Sequence, residues 1–102
     1  MKYITLVCAA GMSTSLLMSK MIESAKNKNI EVTIKAMPES KFAAYEGETD
    51  ILLLGPQISY LYENIKKEYE PKGIKVCLVN IKDYGRMNGE KVLMDSLALI
   101  EN

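Results

Sequence analysis

Short, strongly apolar runs recur along the chain and alternate with segments of a different periodicity. The runs 2–8 and 50–54 show almost no polar alternation, which is typical of strands buried on both faces of a parallel sheet. The run 30–37 alternates strictly between apolar and polar residues and predicts an edge strand with one covered face. With the further run 74–79, the pattern predicts four strands.

Apolar residues at helical spacing mark the segments between these strands. The first helix follows the loop after the first strand, and Ser13, Thr14 or Ser15 can cap it. The predicted helices cover, in chain order, the segment from this hydroxyl cluster to residue 26, then 39–46, 58–69 and 92–100. Met12 lies in the loop before the first of them, and we expect it to be exposed.

Two glycine-containing segments interrupt the periodic pattern. Gly55-Pro56-Gln57 ends the third strand abruptly, because proline cannot continue a strand ladder. The segment 83–89 is rich in turn-forming residues, and it is predicted as a connection that carries Tyr84 and Gly85.

The alternation of strands and helices predicts an α/β fold, a four-stranded parallel sheet with helices on both faces. Right-handed crossovers and a central first strand give the flavodoxin-like order 2-1-3-4. Ligands of such sheets lie at the carboxyl ends of the strands, between the first and the third, so Cys8 and Gly55 should be neighbours. No linker or repeat divides the 102 residues, and we expect a single domain over 1–102.

Composition excludes several functional classes. The chain has no histidine, so it holds no histidine-based triad, no histidine metal site and no phosphohistidine of its own. Thirteen basic residues balance thirteen acidic ones, which leaves no electrostatic footprint for nucleic acid. No apolar run approaches the ~18 residues of a membrane span. We therefore expect a cytoplasmic protein that does not insert into a membrane and uses no metal or cofactor.

The stretch from Cys8 to Leu17 carries the candidate chemistry. It places a thiol where the first strand stops, then a loop of small residues around Gly11, then a hydroxyl cluster at a helix start. Backbone N–H groups of such a loop and the helix dipole converge on an anion, and they favour a thiolate. Cys77 lies inside an apolar run and is simplest to interpret as a core residue.

Three further interpretations of this stretch stay open at this point. Low-molecular-weight tyrosine phosphatases and arsenate reductases also place a cysteine before such a loop, but they need an arginine where this chain has Thr14. A thiol redox or sulfur carrier would need a second thiol near Cys8. A non-catalytic interaction domain would simply bury Cys8. Because 8–17 contains no cation, it suits the holding of a phosphoryl group better than its hydrolysis.

Two motifs together closely resemble the IIB component of the bacterial sugar phosphotransferase system, in its lactose/cellobiose/chitobiose family. They are the segment Leu6–Leu17, which contains Cys-Ala-Ala-Gly-Met-Ser-Thr-Ser, and Leu53-Leu54-Gly55-Pro56-Gln57-Ile58. The resemblance extends through the Tyr84-Gly85 turn and the closing helix. It implies a fold similar to that of low-molecular-weight tyrosine phosphatase.

The resemblance implies a phosphotransferase that works through phosphocysteine. A phosphohistidine of the IIA protein would pass its phosphoryl group to Cys8, and phosphocysteine would hand it to a sugar held by the membrane transporter IIC. The sugar would be a β-disaccharide such as cellobiose, lactose or chitobiose. Gly55, Pro56, Gln57 and Tyr84 would flank the site or face a partner. The implied phosphate-binding loop consists of Ala9, Ala10, Gly11, Met12, Ser13, Thr14 and Ser15.

Overall fold

The computed structural model describes residues 1–9, 12–45 and 47–101, without the side chains of residues 12 and 13. Its centre is a four-stranded sheet in the order β2-β1-β3-β4, and each neighbouring pair is parallel. This confirms the predicted sheet. The strands are β1 (Lys2–Cys8), β2 (Val32–Pro38), β3 (Ile51–Leu54) and β4 (Lys75–Leu78).

Within the described ranges, five α-helices and two short 3-10 segments connect or follow these strands. The 3-10 segments are Pro56–Leu61 and Glu70–Lys72. The helices are α1 (Met12–Asn27), α2 (Glu39–Phe42), α3 (Tyr62–Tyr69), α4 (Ile81–Gly85) and α5 (Gly89–Glu101).

The sheet separates two hydrophobic clusters. On one face, Ile4 and Leu6 of β1 pack with side chains of α1 and α5. On the other face, Val7 of β1 packs with side chains of α2 and α3, including Phe42 and Ile65. Successive side chains of a strand point to opposite faces, so a strand covered on both sides is apolar at nearly every position. The predicted helices on both faces are therefore present.

Two predicted helices are shorter than the apolar periodicity suggested. The segment expected over 58–69 begins as a 3-10 turn, in which Ile58 has a non-helical φ of −115° and ψ of 27°, and becomes α-helical only at Tyr62. The helix expected over 39–46 ends at Phe42, where a buried ring fixes it against the sheet; residue 46 lies outside the described residues.

The interpretation of 83–89 as a turn-rich connection is wrong in its first half. Tyr84 and Gly85 belong to the helix α4. The side chain of Asn80 caps this helix and accepts hydrogen bonds from the backbone N–H groups of Lys82 and Asp83, at 2.8 and 3.3 Å. Local capping thus overrides the turn-forming composition of the segment.

The first helix begins earlier than the hydroxyl cluster suggested. Because α1 starts at Met12, residues 13–15 lie inside its first turn and do not precede it as caps. This corrects the capping role that the sequence predicted for them. No helix among residues 1–9, 12–45 and 47–101 is long and apolar enough to cross a membrane.

Candidate functional site

Cys8 lies at the carboxyl end of the central strand. It pairs with Pro38 of β2, while the preceding residue, Val7, pairs with Leu54 of β3. The backbone N–H of Gly55 donates to the carbonyl of Val7 at 2.9 Å, so the loop after β3 adjoins Cys8, as the strand order predicts. Only 1% of Cys8 is exposed.

Gly55 provides space beside the thiol. A methyl group on its Cα would lie 3.3 Å from Cβ of Cys8 and 2.9 Å from Oε1 of Gln57. Its φ of −64° and ψ of 151° are accessible to any residue, so the glycine is needed for room and not for an unusual backbone conformation. The Gln57 side chain thus lies over Gly55, next to Cys8.

A tyrosine and a threonine meet beside the same point. Cε2 of Tyr84 lies 3.7 Å from the position that a Cβ on Gly55 would occupy. Its hydroxyl lies 3.5 Å from Oγ1 of Thr14, in a buried hydrogen bond for which either oxygen can be the donor. The Tyr84 ring therefore extends from the loop after β3 to the first turn of α1.

The support of Tyr84 is a feature that sequence reasoning missed. Besides the Asn80 cap, the carboxylate of Asp83 lies 3.4 Å from Nζ of Lys91 in α5, which also contacts Asp95 at 2.8 Å. Of these contacts, the one between Asp83 and Lys91 links α4 to α5. The spacing of Asn80 and Asp83, a cap residue followed three positions later by an acidic residue, was the available signal.

The predicted phosphate-binding loop is described only in part. Ala9 is exposed, and the backbone carbonyl of Ser15 accepts a hydrogen bond from Oγ of Ser19. Ala10 and Gly11 lie outside the described residues, as do the side chains of Met12 and Ser13, and with them the predicted exposure of Met12.

Cys77 does not belong to this site. It lies in β4, and β3 separates it from β1, so the two cysteines are two strand spacings apart, about 9.5 Å. A disulfide requires Cα atoms within about 7 Å. Cys77 is half-buried rather than fully in the core, and burial, together with the negative charge of Asp95, raises the pKa of its thiol. The geometry therefore disfavours a redox pair.

A shallow cavity of ≈ 290 Å³ opens beside Tyr84. The side chain of Ile81, on the first turn of α4, is 72% exposed at its border. Exposed apolar surface of this kind beside a site is typical of protein contacts. The lining residues are Pro56, Gln57, Ile81, Tyr84 and Gly85.

Comparisons with known proteins identify the family of the chain. The family model "PTS system, Lactose/Cellobiose specific IIB subunit" matches residues 3–95. The chain is 41% identical over 97 residues to the cellobiose-specific EIIB component of Lactococcus lactis, covering 90% of each protein. It is 37% identical over 102 residues to the oligo-beta-mannoside-specific EIIB component of Bacillus subtilis, covering 100% of this chain and 99% of that protein.

Solved structures show the same fold. The cellobiose-specific IIB component of Borrelia burgdorferi superposes with a TM-score of 0.81 at 40% identity, covering 99% of this chain and 93% of that one. The lactose-specific IIB domain of Streptococcus pneumoniae gives a TM-score of 0.85 at 20% identity, covering 95% of each chain. The chain thus belongs to the lactose/cellobiose-specific IIB family, and it is a IIB component of a sugar-transporting phosphotransferase system.

Proposed function

We propose that Cys8 carries the phosphoryl group between the two partners of a IIB component. The sulfur of the Cys8 thiolate attacks the phosphorus of a phosphohistidine on IIA, so that an S–P bond forms and the N–P bond breaks. A sugar hydroxyl held by IIC then attacks the phosphorus. An O–P bond forms, the hydroxyl releases its proton, and sulfur leaves as thiolate.

The observation that carries this proposal is the position of Cys8. The thiol stands at the carboxyl end of the central strand, between the loop that starts at Gly55 and the first turn of α1. A helix N-terminus presents unpaired backbone N–H groups and the positive end of its dipole, which stabilise thiolate and phosphoryl oxygens alike. Residues 9–15 would supply these donors.

The same site lacks what a hydrolase needs. The segment 8–17 contains no lysine or arginine, and Thr14 stands where the phosphatases carry their arginine. The Thr14 side chain is instead buried against Tyr84. Without a cation or an acid to stabilise charge on the leaving group, phosphocysteine would lose its phosphoryl group slowly to water. This supports a carrier over a phosphatase.

We infer that the partners approach over the cavity beside Tyr84. Pro56, Gln57 and Ile81 line this apolar surface, and the chain as a whole has no net charge to attract a partner. The reaction would take place in the cytoplasm. The sugar would be a β-linked disaccharide such as cellobiose, since relatives of this length are named for cellobiose and oligo-beta-mannoside.

Phosphorylation by phosphorylated IIA tests the proposal. We expect intact-mass analysis to show one added phosphoryl group on the wild-type protein and on Cys77→Ser, and none on Cys8→Ser. Cys77→Ser is the matched control, because it removes the other thiol of the chain at a site away from Cys8. Labelling that persists in Cys8→Ser would overturn the assignment.

A further inference from the structure

The Tyr84 side chain closes one side of the site around Cys8. Its ring is 7% exposed and extends from the neighbourhood of Gly55 to Thr14, which is 1% exposed. Cys8 lies beside the same Gly55. The edge of the Tyr84 ring and the Cβ atom of Cys8 thus lie within 4 Å of the same point beside Gly55.

The bond between the two hydroxyls leaves open which of them donates. Each hydroxyl carries one O–H donor and two acceptor lone pairs, and either Thr14 or Tyr84 can donate in the bond between them. This bond uses one of the two hydroxyl hydrogens. At 3.5 Å the bond is also long for two hydroxyls, whose usual separation is about 2.7–2.8 Å, and so it is weak.

A phosphoryl group is a suitable hydrogen-bond acceptor for a hydroxyl of this pair. It brings three strong acceptor oxygens and about −1.5 to −2 charges at neutral pH. A hydrogen bond to a charged acceptor is about twice as strong as one between neutral groups. Exchange of the long Tyr84–Thr14 bond for a hydrogen bond to a charged phosphoryl oxygen is therefore favourable.

We propose that the Tyr84 hydroxyl donates a hydrogen bond to the phosphoryl group on Cys8 and thereby stabilises the phosphorylated state. The proposal rests on the proposed function of Cys8. Tyr84 gives up its hydrogen bond with Thr14 and donates instead to an oxygen of the phosphoryl group. No covalent bond changes in this exchange. The neutral hydroxyl of Tyr84 would thus donate a hydrogen bond to the phosphoryl group in a site where the phosphatases use an arginine.

The contacts that position α4, and with it Tyr84, support this role. The Asn80 cap holds the start of α4, and the Asp83–Lys91 contact ties its middle residue to α5. A side chain that donates to a developing charge is most effective when its position is fixed before the reaction. A ring that merely filled space would need neither the hydroxyl nor a hydroxyl partner on α1.

Tyr84→Phe tests the proposal, because it removes one oxygen and keeps the ring. The matched control is Tyr3→Phe, which makes the same change near the opposite, amino end of β1. We expect Tyr84→Phe to lower the equilibrium constant for phosphoryl transfer from IIA to Cys8 about tenfold, the effect of losing one hydrogen bond to a charged group. Its phosphocysteine ³¹P resonance should shift, while both quantities stay at the wild-type value in Tyr3→Phe.

A direct measurement on the wild-type protein does not depend on how the variant folds. In protein labelled at tyrosine ¹³Cζ, the Tyr84 resonance should move on phosphorylation and the Tyr3 resonance should not. An unmoved Tyr84 resonance, or an equilibrium constant and ³¹P shift unchanged in Tyr84→Phe, would overturn the role of Tyr84 while Cys8 remains the carrier. A wild-type protein that takes no phosphoryl group at Cys8 would overturn the proposed function instead.

Discussion

At the scale of single residues, the site depends on the absence of a side chain at Gly55. Gly55 approaches both Cys8 and Gln57 so closely that its missing side chain is part of the site. The sequence could predict that Cys8 and Gly55 adjoin, because strand order follows from hydrophobic pattern. It could not predict the Gln57 side chain over Gly55 or the Thr14–Tyr84 bond, since both depend on rotamers set by the finished packing.

Gly55→Ala should therefore impair the site more than the fold. The added methyl would lie 3.3 Å from Cβ of Cys8, so the thiol must shift by a few tenths of an ångström, while the backbone conformation suits alanine. Overpacking of this kind costs about 1 kcal/mol, at the low end of its usual range, because the Gln57 side chain can rotate away. We expect a small drop in the thermal midpoint and a severalfold slower phosphorylation by IIA.

The double variant Gly55→Ala/Gln57→Ala separates the two crowded contacts. It relieves the contact with Oε1 of Gln57 and leaves the contact with Cys8. The slow phosphorylation should persist in it. Recovery of the wild-type rate would show that Gln57, and not the position of the thiol, limits the reaction.

At the scale of elements, α4 is the part that sequence reasoning described wrongly. Its five residues include Asp83 and Gly85, which favour turns, and a helix so short has little intrinsic stability. Its order comes from the Asn80 cap and from the ion pair of Asp83 with Lys91, a residue of another helix. Hydrophobic periodicity cannot predict a helix that is stabilised by contacts with residues outside its own span.

Asn80→Ala should loosen α4 and so disturb Tyr84. Loss of a cap costs about 1 kcal/mol. The matched control is Asn88→Ala, which removes the side chain that accepts from the backbone N–H of Lys91 at 3.2 Å, at the start of α5. Urea unfolding should show similar losses in both variants, whereas slower phosphorylation by IIA is expected only in Asn80→Ala. Equal rates in the two variants would contradict a role for α4 in positioning Tyr84.

At the scale of the whole molecule, the fold was predictable because it follows from burial. The strand β3 is apolar throughout, and the buried part of β1, residues 4–8, is apolar apart from Thr5; only a sheet covered on both faces satisfies that pattern. The close approach between α1 and α5, the two helices that cover one face of the sheet, was not predictable. A methyl group on Gly89, the first residue of α5, would lie 2.5 Å from the backbone carbonyl carbon of Lys20 in α1.

Gly89→Ala should therefore lower the stability of the whole molecule. The obstructing atoms belong to the backbone of α1 and cannot rotate away, so the two helices must separate, at a cost of about 2–3 kcal/mol. Gly85→Ala is the control. Among the described residues, no atom beyond its chain neighbours and its own helix backbone lies within 4 Å of its added methyl, and alanine in a helix is favoured over glycine by about 0.5–1 kcal/mol. Thermal unfolding should lower the midpoint of the first variant only; equal midpoints would contradict the close packing.

The hydrogen bonding of β1 on both sides has a consequence for the order in which partners reach Cys8. A strand paired with β2 and β3 cannot move to meet a partner, so Cys8 offers its sulfur from a fixed position and from one edge of the sheet only. Under the function proposed for Cys8, the donor and the acceptor of the phosphoryl group would occupy the same opening in turn. We then expect two-step, ping-pong kinetics, in which an excess of unphosphorylated IIA slows delivery to the sugar by competing with IIC.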